Sequence, residues 1–261
     1  MILVLAGTAD GRDIVRMLAD RGRRVVACVA TAYGGELLAG SGAHVIIDQP
    51  LDKNKLALLI EQYRITAVID ATHPFAEVIS AAAAGVCREK GVSYLCYRRP
   101  VLKLPESPLI TFVAGYQEAA EMAAAAGQVI FLTAGSKSLD VFLAVARAGG
   151  RRLVARVLPV PAVLTRCLEL GLTAADLVAM QGPFSVALNR ALLVEYRASV
   201  LVTKESGAVG GTDTKVVAAL DLGIPVVIIK RPEPPAGAVS NAEEILKKLE
   251  CWESEELESG I

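Results

Sequence analysis

The sequence predicts an α/β protein in two domains, each a parallel sheet flanked by helices, and three observations lead there. Short runs rich in Val and Ile alternate with longer Ala/Leu-rich amphipathic segments, the pattern of repeated βα units. The series breaks once, at a proline-spaced stretch, and then begins again. A chain of 261 residues, 53% of them hydrophobic and 21% charged, is long enough for two small domains with real cores.

In the first series the strands fall near Ile2 to Ala6, Arg24 to Val29, His44 to Ile47, Ala67 to Ile69 and Ser93 to Cys96. Helices follow at Gly11 to Asp20, Gly35 to Ala39, Asp52 to Gln62 and Ala76 to Glu89. Arg98-Arg99-Pro100 and Leu104-Pro105-Glu106-Ser107-Pro108 suit neither element interior, so residues 98–116 read as a crossover between a domain of 1–97 and one of 117–249. Gln117 to Ala126 is an Ala-rich helix stopped by glycines. Strands then fall near Val129 to Leu132, Arg152 to Val157, Leu177 to Met180, Val200 to Thr203 and Val226 to Ile229. The helices between them are Ser138 to Ala148, Val163 to Leu170, Ser185 to Tyr196 and Asp213 to Asp221. Residues 250–261, with five glutamates, read as an acidic tail that frays in solvent.

Composition excludes several classes. The 27 Lys+Arg nearly cancel the 28 Asp+Glu, which leaves no global positive field for a nucleic-acid backbone or an anionic membrane. Mean hydropathy is positive, yet the longest charge-free stretch, Met122 to Ser136, has 15 residues and contains Gly127, Gln128 and Gly135. A span needs about 20 apolar residues. Met1 to Ala6 has no basic segment before it and runs straight into Gly7, so it reads as a strand and not a signal peptide. Five cysteines, scattered and without a Cys-x-x-Cys pair, suggest neither a disulfide framework nor a metal site, and a cytoplasmic protein is expected.

The chemistry collects at strand ends. Gly7-Thr8-Ala9-Asp10-Gly11-Arg12 occupies the first strand-to-helix turn, where unpaired N–H groups and a helix N-terminus favour a phosphate or carboxylate. Asp10 there also suits a simple helix cap. The motif lacks the three-glycine dinucleotide spacing, and Ala30-Thr31-Ala32 offers no acid after the second strand, which counts against ordinary NAD binding in the first half. In Asp70-Ala71-Thr72-His73-Pro74-Phe75-Ala76, His73 is one of two histidines and can give a proton or hold a carboxylate; equally, Asp70 and Thr72 can cap the next helix. His44, beside a strand start, reads as structural.

Thr133-Ala134-Gly135-Ser136-Lys137-Ser138 repeats the strand, small-residue turn and helix, with Lys137 beside backbone donors as in a phosphate site; a capped helix with a solvated lysine fits the same residues. Gln181-Gly182-Pro183-Phe184-Ser185 places Ser185 as a cap and leaves Phe184 either to stack on a ring or to pack in the core. Between Thr203 and Lys215 lie three glycines and two lysines, suited to a polyanion or to a flexible loop; no Gly-Lys-Ser/Thr makes it a Walker motif.

Taken in order, these segments, with Tyr97-Arg98-Arg99-Pro100, Phe131-Leu132-Thr133-Ala134-Gly135, Asn189-Arg190, Thr203-Lys204-Glu205-Ser206-Gly207, Gly210-Gly211 and Lys215, resemble the precorrin-6A reductase family of cobalamin biosynthesis, cobalt-precorrin-6A reductases included. The resemblance spans residues 1 to 248. It implies two Rossmann-like domains with an active site in the cleft between them, and transfer of a hydride from NADPH or NADH to a double bond of a ring-contracted tetrapyrrole, metal-free or cobalt-bearing. It also implies site roles. Thr133, Gly135, Ser136, Lys137, Gln181, Gly182, Pro183, Phe184 and Ser185 fall to the cofactor. Gly7, Thr8, Gly11, Arg12, Arg98, Arg99, Ser206, Gly207, Gly210, Gly211 and Lys215 fall to the substrate, whose carboxylates suit arginine forks. His73 and Lys204 are the proton-donor candidates. No catalytic metal is required, since the nicotinamide brings the hydride.

Three other readings are weaker. None of the six tyrosines is followed four places on by lysine, which disfavours a short-chain dehydrogenase, and a methyltransferase lacks its second-strand acid. A two-lobed cytoplasmic small-molecule sensor is the alternative outside enzymes.

Overall fold

The computed structural model describes residues 1–100, 103–207 and 211–259, the last five of these by backbone alone. The chain divides into two compact units, Met1–Pro100 with Pro232–Ile261, and Val101–Arg231.

Unit 1 opens with β1 (Ile2–Leu5), α1 (Ala9–Asp20), β2 (Val25–Cys28), α2 (Ala32–Leu38), β3 (Val45–Ile47), α3 (Lys53–Gln62), β4 (Ala67–Asp70), α4 (Glu77–Lys90) and β5 (Ser93–Cys96). The strands form one parallel sheet in the order β3-β2-β1-β4-β5. The period of two splits β1 between two cores. Ile2, Val4 and Ala6 pack with Ile14, Val15 and Leu18 of α1, whereas Leu3 and Leu5 face Leu56 and Ile60 of α3 and Val86 of α4. Helix starts follow the capping rule: Thr8, Thr31 and Asp52 accept the N–H of Gly11, Gly34 and Lys55. Strand order reverses between β1 and β4, so the ligand crevice of this sheet lies outside their carboxyl ends.

Unit 2 runs β6 (Ile110–Val113), α5 (Tyr116–Ala126), β7 (Val129–Leu132), α6 (Leu139–Ala148), β8 (Arg152–Val157), α7 (Pro161–Glu169), β9 (Leu177–Ala179), α8 (Val186–Glu195), β10 (Val200–Lys204), α9 (Thr212–Leu220) and β11 (Val226–Ile229). Its parallel sheet has the order β6-β11-β10-β7-β8-β9. Phe131, Val154, Leu201 and Ile228 bury one face against Leu193 of α8 and Val216 and Ala219 of α9. Here the order reverses between β7 and β10, which puts the crevice at the turns after Leu132 and Lys204.

Two features differ from the sequence expectation. The span expected as crossover contains β6, an edge strand that pairs with β11 alone. Its Phe112 faces solvent at 43% exposure, so Ile110-Thr111-Phe112-Val113 never needed the apolar run of a central strand, and the prolines before it hid the start. The expected boundary at 249 is also displaced. From Pro232 the chain groups with unit 1, where Val239 bridges Tyr97 beside β5 and α10 (Ala242–Ser259) follows. Ile245 and Leu249 join the core of Ile2, Val4 and Leu18, with Trp252 packed against it. Glu253 pairs with Arg23, so the acidic stretch continues a docked helix. Among the described residues no helix is long and apolar enough to cross a membrane.

Candidate functional site

In unit 1 the turns after β1 and β4 are tied together by Thr8, whose Oγ1 accepts the Gly11 N–H at 3.1 Å and donates to the Ala71 carbonyl at 2.9 Å. Gly11 is buried, and a Cβ on it would stand 2.7 Å from the Ala6 Cα, so glycine lets α1 begin directly against β1. Thr8 therefore caps α1 and Asp10 does not: its Oδ2 pairs with Arg99 Nη2 at 2.6 Å. Arg12 sits half-buried in the first helical turn with its guanidinium bound to no other described residue.

Asp70 ends β4 fully buried. Oδ1 accepts the Thr72 hydroxyl at 2.6 Å and the Thr72 N–H at 3.0 Å, Oδ2 accepts the Tyr94 hydroxyl at 2.8 Å, and Arg98 Nη2 stands 3.6 Å from Oδ2. Burial alone would raise its pKa, but the Ser80 and Thr72 hydroxyls, the Thr72 N–H and the Arg98 charge together hold it below the ordinary carboxylate value. Burial, followed by the Asp70 charge, pushes the Tyr94 hydroxyl up, so it stays a protonated donor.

This network corrects two expectations. Asp70 and Thr72 turn toward each other rather than capping α4, whose N-cap Ala76 has no side-chain bond. Arg98, expected as a substrate arm, is also engaged within the chain, donating to the Tyr97 carbonyl and to Ser80 Oγ. His73 follows Thr72 in the same turn, half-buried. The ring Nδ1 accepts the Phe75 N–H at 3.3 Å, a role that leaves the proton of the neutral imidazole on Nε2. A shallow recess of about 170 Å³, counted out to open solvent, is bounded by Thr8, Asp10, Thr72 and Pro74 and by Tyr97, Arg98 and Arg99.

In unit 2 three loops converge. Thr133 locks the β7 turn, its N–H and Oγ1 both donating to the Val202 carbonyl of β10. Gly135 adopts φ +85°, and Ser138, at the N-cap of α6, keeps a buried Oγ with no partner among the described residues. Ser185 caps α8 as expected, and a Cβ on Gly211 would lie 3.9 Å from both Pro183 Cβ and Lys215 Cε. The Ser206 N–H donates to Thr212 Oγ1, which donates to the Lys204 carbonyl, so Ser206 closes the third loop. Gly207 and Gly211 take positive φ there. Gly210 lies outside the described residues.

Cations crowd this second site. Lys204 Nζ stands 4.9 Å over the Tyr116 ring, and burial, then the Lys137 charge, push it down to about 8. Burial, then the Arg156 charge, push Lys215 down to about 7, with Asp213 acting against them. Burial alone lowers Arg156 to about 10, so it stays charged at neutrality. Arg156 was not foreseen; the available signal was a charge at an inward position of the apolar run Leu153–Val157. Phe184 is neither core nor free, lying 4.6 Å from the Arg156 guanidinium. The loops expected to hold a cofactor and the Lys204 to Lys215 loop expected to hold substrate both lie in unit 2, while Gly7, Thr8, Arg12 and His73 lie in unit 1.

Fold and sites define a doubly wound α/β protein with one strand-end site of compensated charge and one rich in buried cations. The comparison with known proteins narrows this. Residues 1–250 match the family described as precorrin-6x reductase CbiJ/CobK, and the chain belongs to that family of oxidoreductases. It is 39% identical over 251 residues to a cobalt-precorrin-6A reductase of Priestia megaterium, covering 95% of this chain and 98% of the relative. It is 34% identical over 244 residues to a precorrin-6A reductase of Rhodococcus erythropolis, covering 90% and 91%. A solved CobK precorrin-6A reductase superposes with a TM-score of 0.75 at 28% identity, covering 96% of each chain.

Proposed function

We propose that this chain reduces cobalt-precorrin-6A to cobalt-precorrin-6B with NADPH or NADH in cytoplasmic corrin synthesis. The observation that carries the reading is the family match across residues 1–250, which takes in both strand-end sites. The cobalt-bearing substrate is preferred because the 39% identical relative carries that name; the metal-free substrate is the comparison.

The residues of unit 2 fit a dinucleotide. The orphaned Ser138 Oγ at a helix N-terminus, the Gly135 turn and the Lys137 ammonium group suit a pyrophosphate, while Gln181 to Ser185 supply the adjoining wall. When bound, a reduced nicotinamide supplies the hydride. This chain's own task is then to hold both partners in register and exclude water. The recess beside Thr8, with Arg12 at the start of α1, takes a peripheral carboxylate of the tetrapyrrole. Saturating a carbon–carbon double bond needs a proton on the second carbon as well as a hydride on the first. His73 in its imidazolium form and the Lys204 ammonium, lowered to about 8, are the two groups suited to give it.

The test mixes the protein anaerobically with NADPH or NADH and with cobalt-bearing or metal-free precorrin-6A, following nicotinamide absorbance and the tetrapyrrole spectrum together. One nicotinamide oxidised per tetrapyrrole reduced is expected. A spectrum unchanged with either coenzyme and either substrate overturns the reading.

A further inference from the structure

We propose that Arg156 is an oxoanion receptor in unit 2, its fork reserved for a phosphate or carboxylate of a bound ligand. The inference deepens the reductase reading of that site. Arg156 lies on β8 at 7% exposure, where a guanidinium without a counter-charge is costly. Yet among the described residues it meets no carboxylate within ion-pair distance. Its side-chain bond is a single one, Nη1 donating to Asn189 Oδ1 at 2.8 Å.

The surroundings hold that cation in place instead of neutralising it. Its guanidinium carbon stands 4.6 Å over the centre of the Phe184 ring, and Asn189, itself buried, is fixed by donating to the Phe184 and Ser185 carbonyls and toward Thr214 Oγ1. Lys215, one residue beyond Thr214, brings a second positive charge to the same neighbourhood. A planar fork with donors to spare, clamped between an amide and a ring, suits two-point recognition of an oxoanion. Two sources share that chemistry: a phosphate of the nicotinamide dinucleotide and a carboxylate of the tetrapyrrole.

Arg156→Gln and Arg156→Lys, checked for native circular dichroism, would be titrated calorimetrically with inorganic pyrophosphate and with NADPH, and assayed for the KM of the tetrapyrrole. Pyrophosphate affinity should fall at least 10-fold in Arg156→Gln and recover in part in Arg156→Lys, which restores the charge without the fork. A loss confined to NADPH assigns the site to phosphate, and a loss confined to the tetrapyrrole KM assigns it to carboxylate. Unchanged affinity for all three overturns the proposal. Should Arg156→Gln fail to fold, Arg156→Lys decides alone: wild-type affinity for all three overturns it. A wild-type protein that binds pyrophosphate through Arg156 but leaves the tetrapyrrole unreduced would sink the reductase reading and leave this one standing.

Discussion

Asp70→Asn is the most informative perturbation of unit 1, because it removes one charge and almost no volume. In the native site the carboxylate is fully buried and accepts three hydrogen bonds, from the Thr72 N–H, the Thr72 hydroxyl and the Tyr94 hydroxyl. In the amide, Oδ1 keeps the two Thr72 bonds at neutral strength and the NH2 faces the Tyr94 hydroxyl, which must then accept; together these changes cost roughly 2 kcal/mol. It also leaves Arg98 without its counter-charge. Breaking a buried pair costs about 3–5 kcal/mol, but the Arg98 contact is 3.6 Å long and that guanidinium keeps the Tyr97 carbonyl and Ser80 as acceptors, so this share is about 1 kcal/mol. The sum is about 3 kcal/mol, which lowers the melting temperature of a unit this size by about 10 °C. Trp252, the one tryptophan, packs on the core of unit 1, so its fluorescence reports this transition. The pH dependence supplies a second check. The folded pKa of Asp70 is depressed, so its stabilisation is present above the unfolded carboxylate value of about 3.9 and is lost as pH falls through the folded one. The gap between wild type and Asp70→Asn should close in strong acid. A melting temperature within 2 °C of wild type at neutral pH, or a gap that persists in acid, would refute the argument.

Three further outcomes are expected. Gly11→Ala forces α1 off β1, since the new Cβ meets backbone at 2.7 Å, and should destabilise unit 1 by roughly 1–3 kcal/mol and raise the tetrapyrrole KM; an unchanged urea midpoint counts against it. His73→Ala should lower turnover more than nicotinamide affinity, and unchanged single-turnover hydride transfer would remove His73 as a donor. Raising the pH from 7 to 9 deprotonates Lys215, which faces Arg156 and Asp213, and Lys204, which faces Lys137, so nicotinamide affinity should weaken across that window. Stability moves the other way. Unfolded lysine keeps its proton to about 10.4, so unfolding binds protons and the folded state gains up to about 1.4 kcal/mol per pH unit from Lys215, less from the more open Lys204. A melting curve that falls over the same range would contradict both shifts.

Much of the fold could be read from the sequence because most strands are central and several helices are capped locally. Val129–Leu132 and Val226–Ile229 lie inside sheets and had to be apolar at every position. Thr8 and Ser185 sit where a free N–H needs an acceptor. What escaped depended on partners distant in sequence. Ile110–Val113 is a strand only because β11 lies beside it, and Ile245, Leu249 and Trp252 show helical spacing whose buried face is supplied by residues more than 200 positions earlier. The same limit applied at the sites. Asp70 was visible at the end of a strand, but its choice of Tyr94 and Arg98 over a helix cap follows from β5 lying alongside β4.

The contrast between the two strand-end sites bears on what each is built to receive. In unit 1 the charges answer one another, Asp70 with Arg98 and Asp10 with Arg99, while Arg12 meets no carboxylate among the described residues. A site of that kind is pre-formed and loses little when empty, as suits a ligand whose recognition rests on shape and position. In unit 2, Lys204, Lys215 and Arg156 all have lowered pKa values, with burial as the leading cause. Stability in the absence of ligand would favour apolar residues of similar size at such positions. Their presence is accounted for if the folded state is completed by a polyanion, because the desolvation already suffered by the cations then strengthens each contact with it.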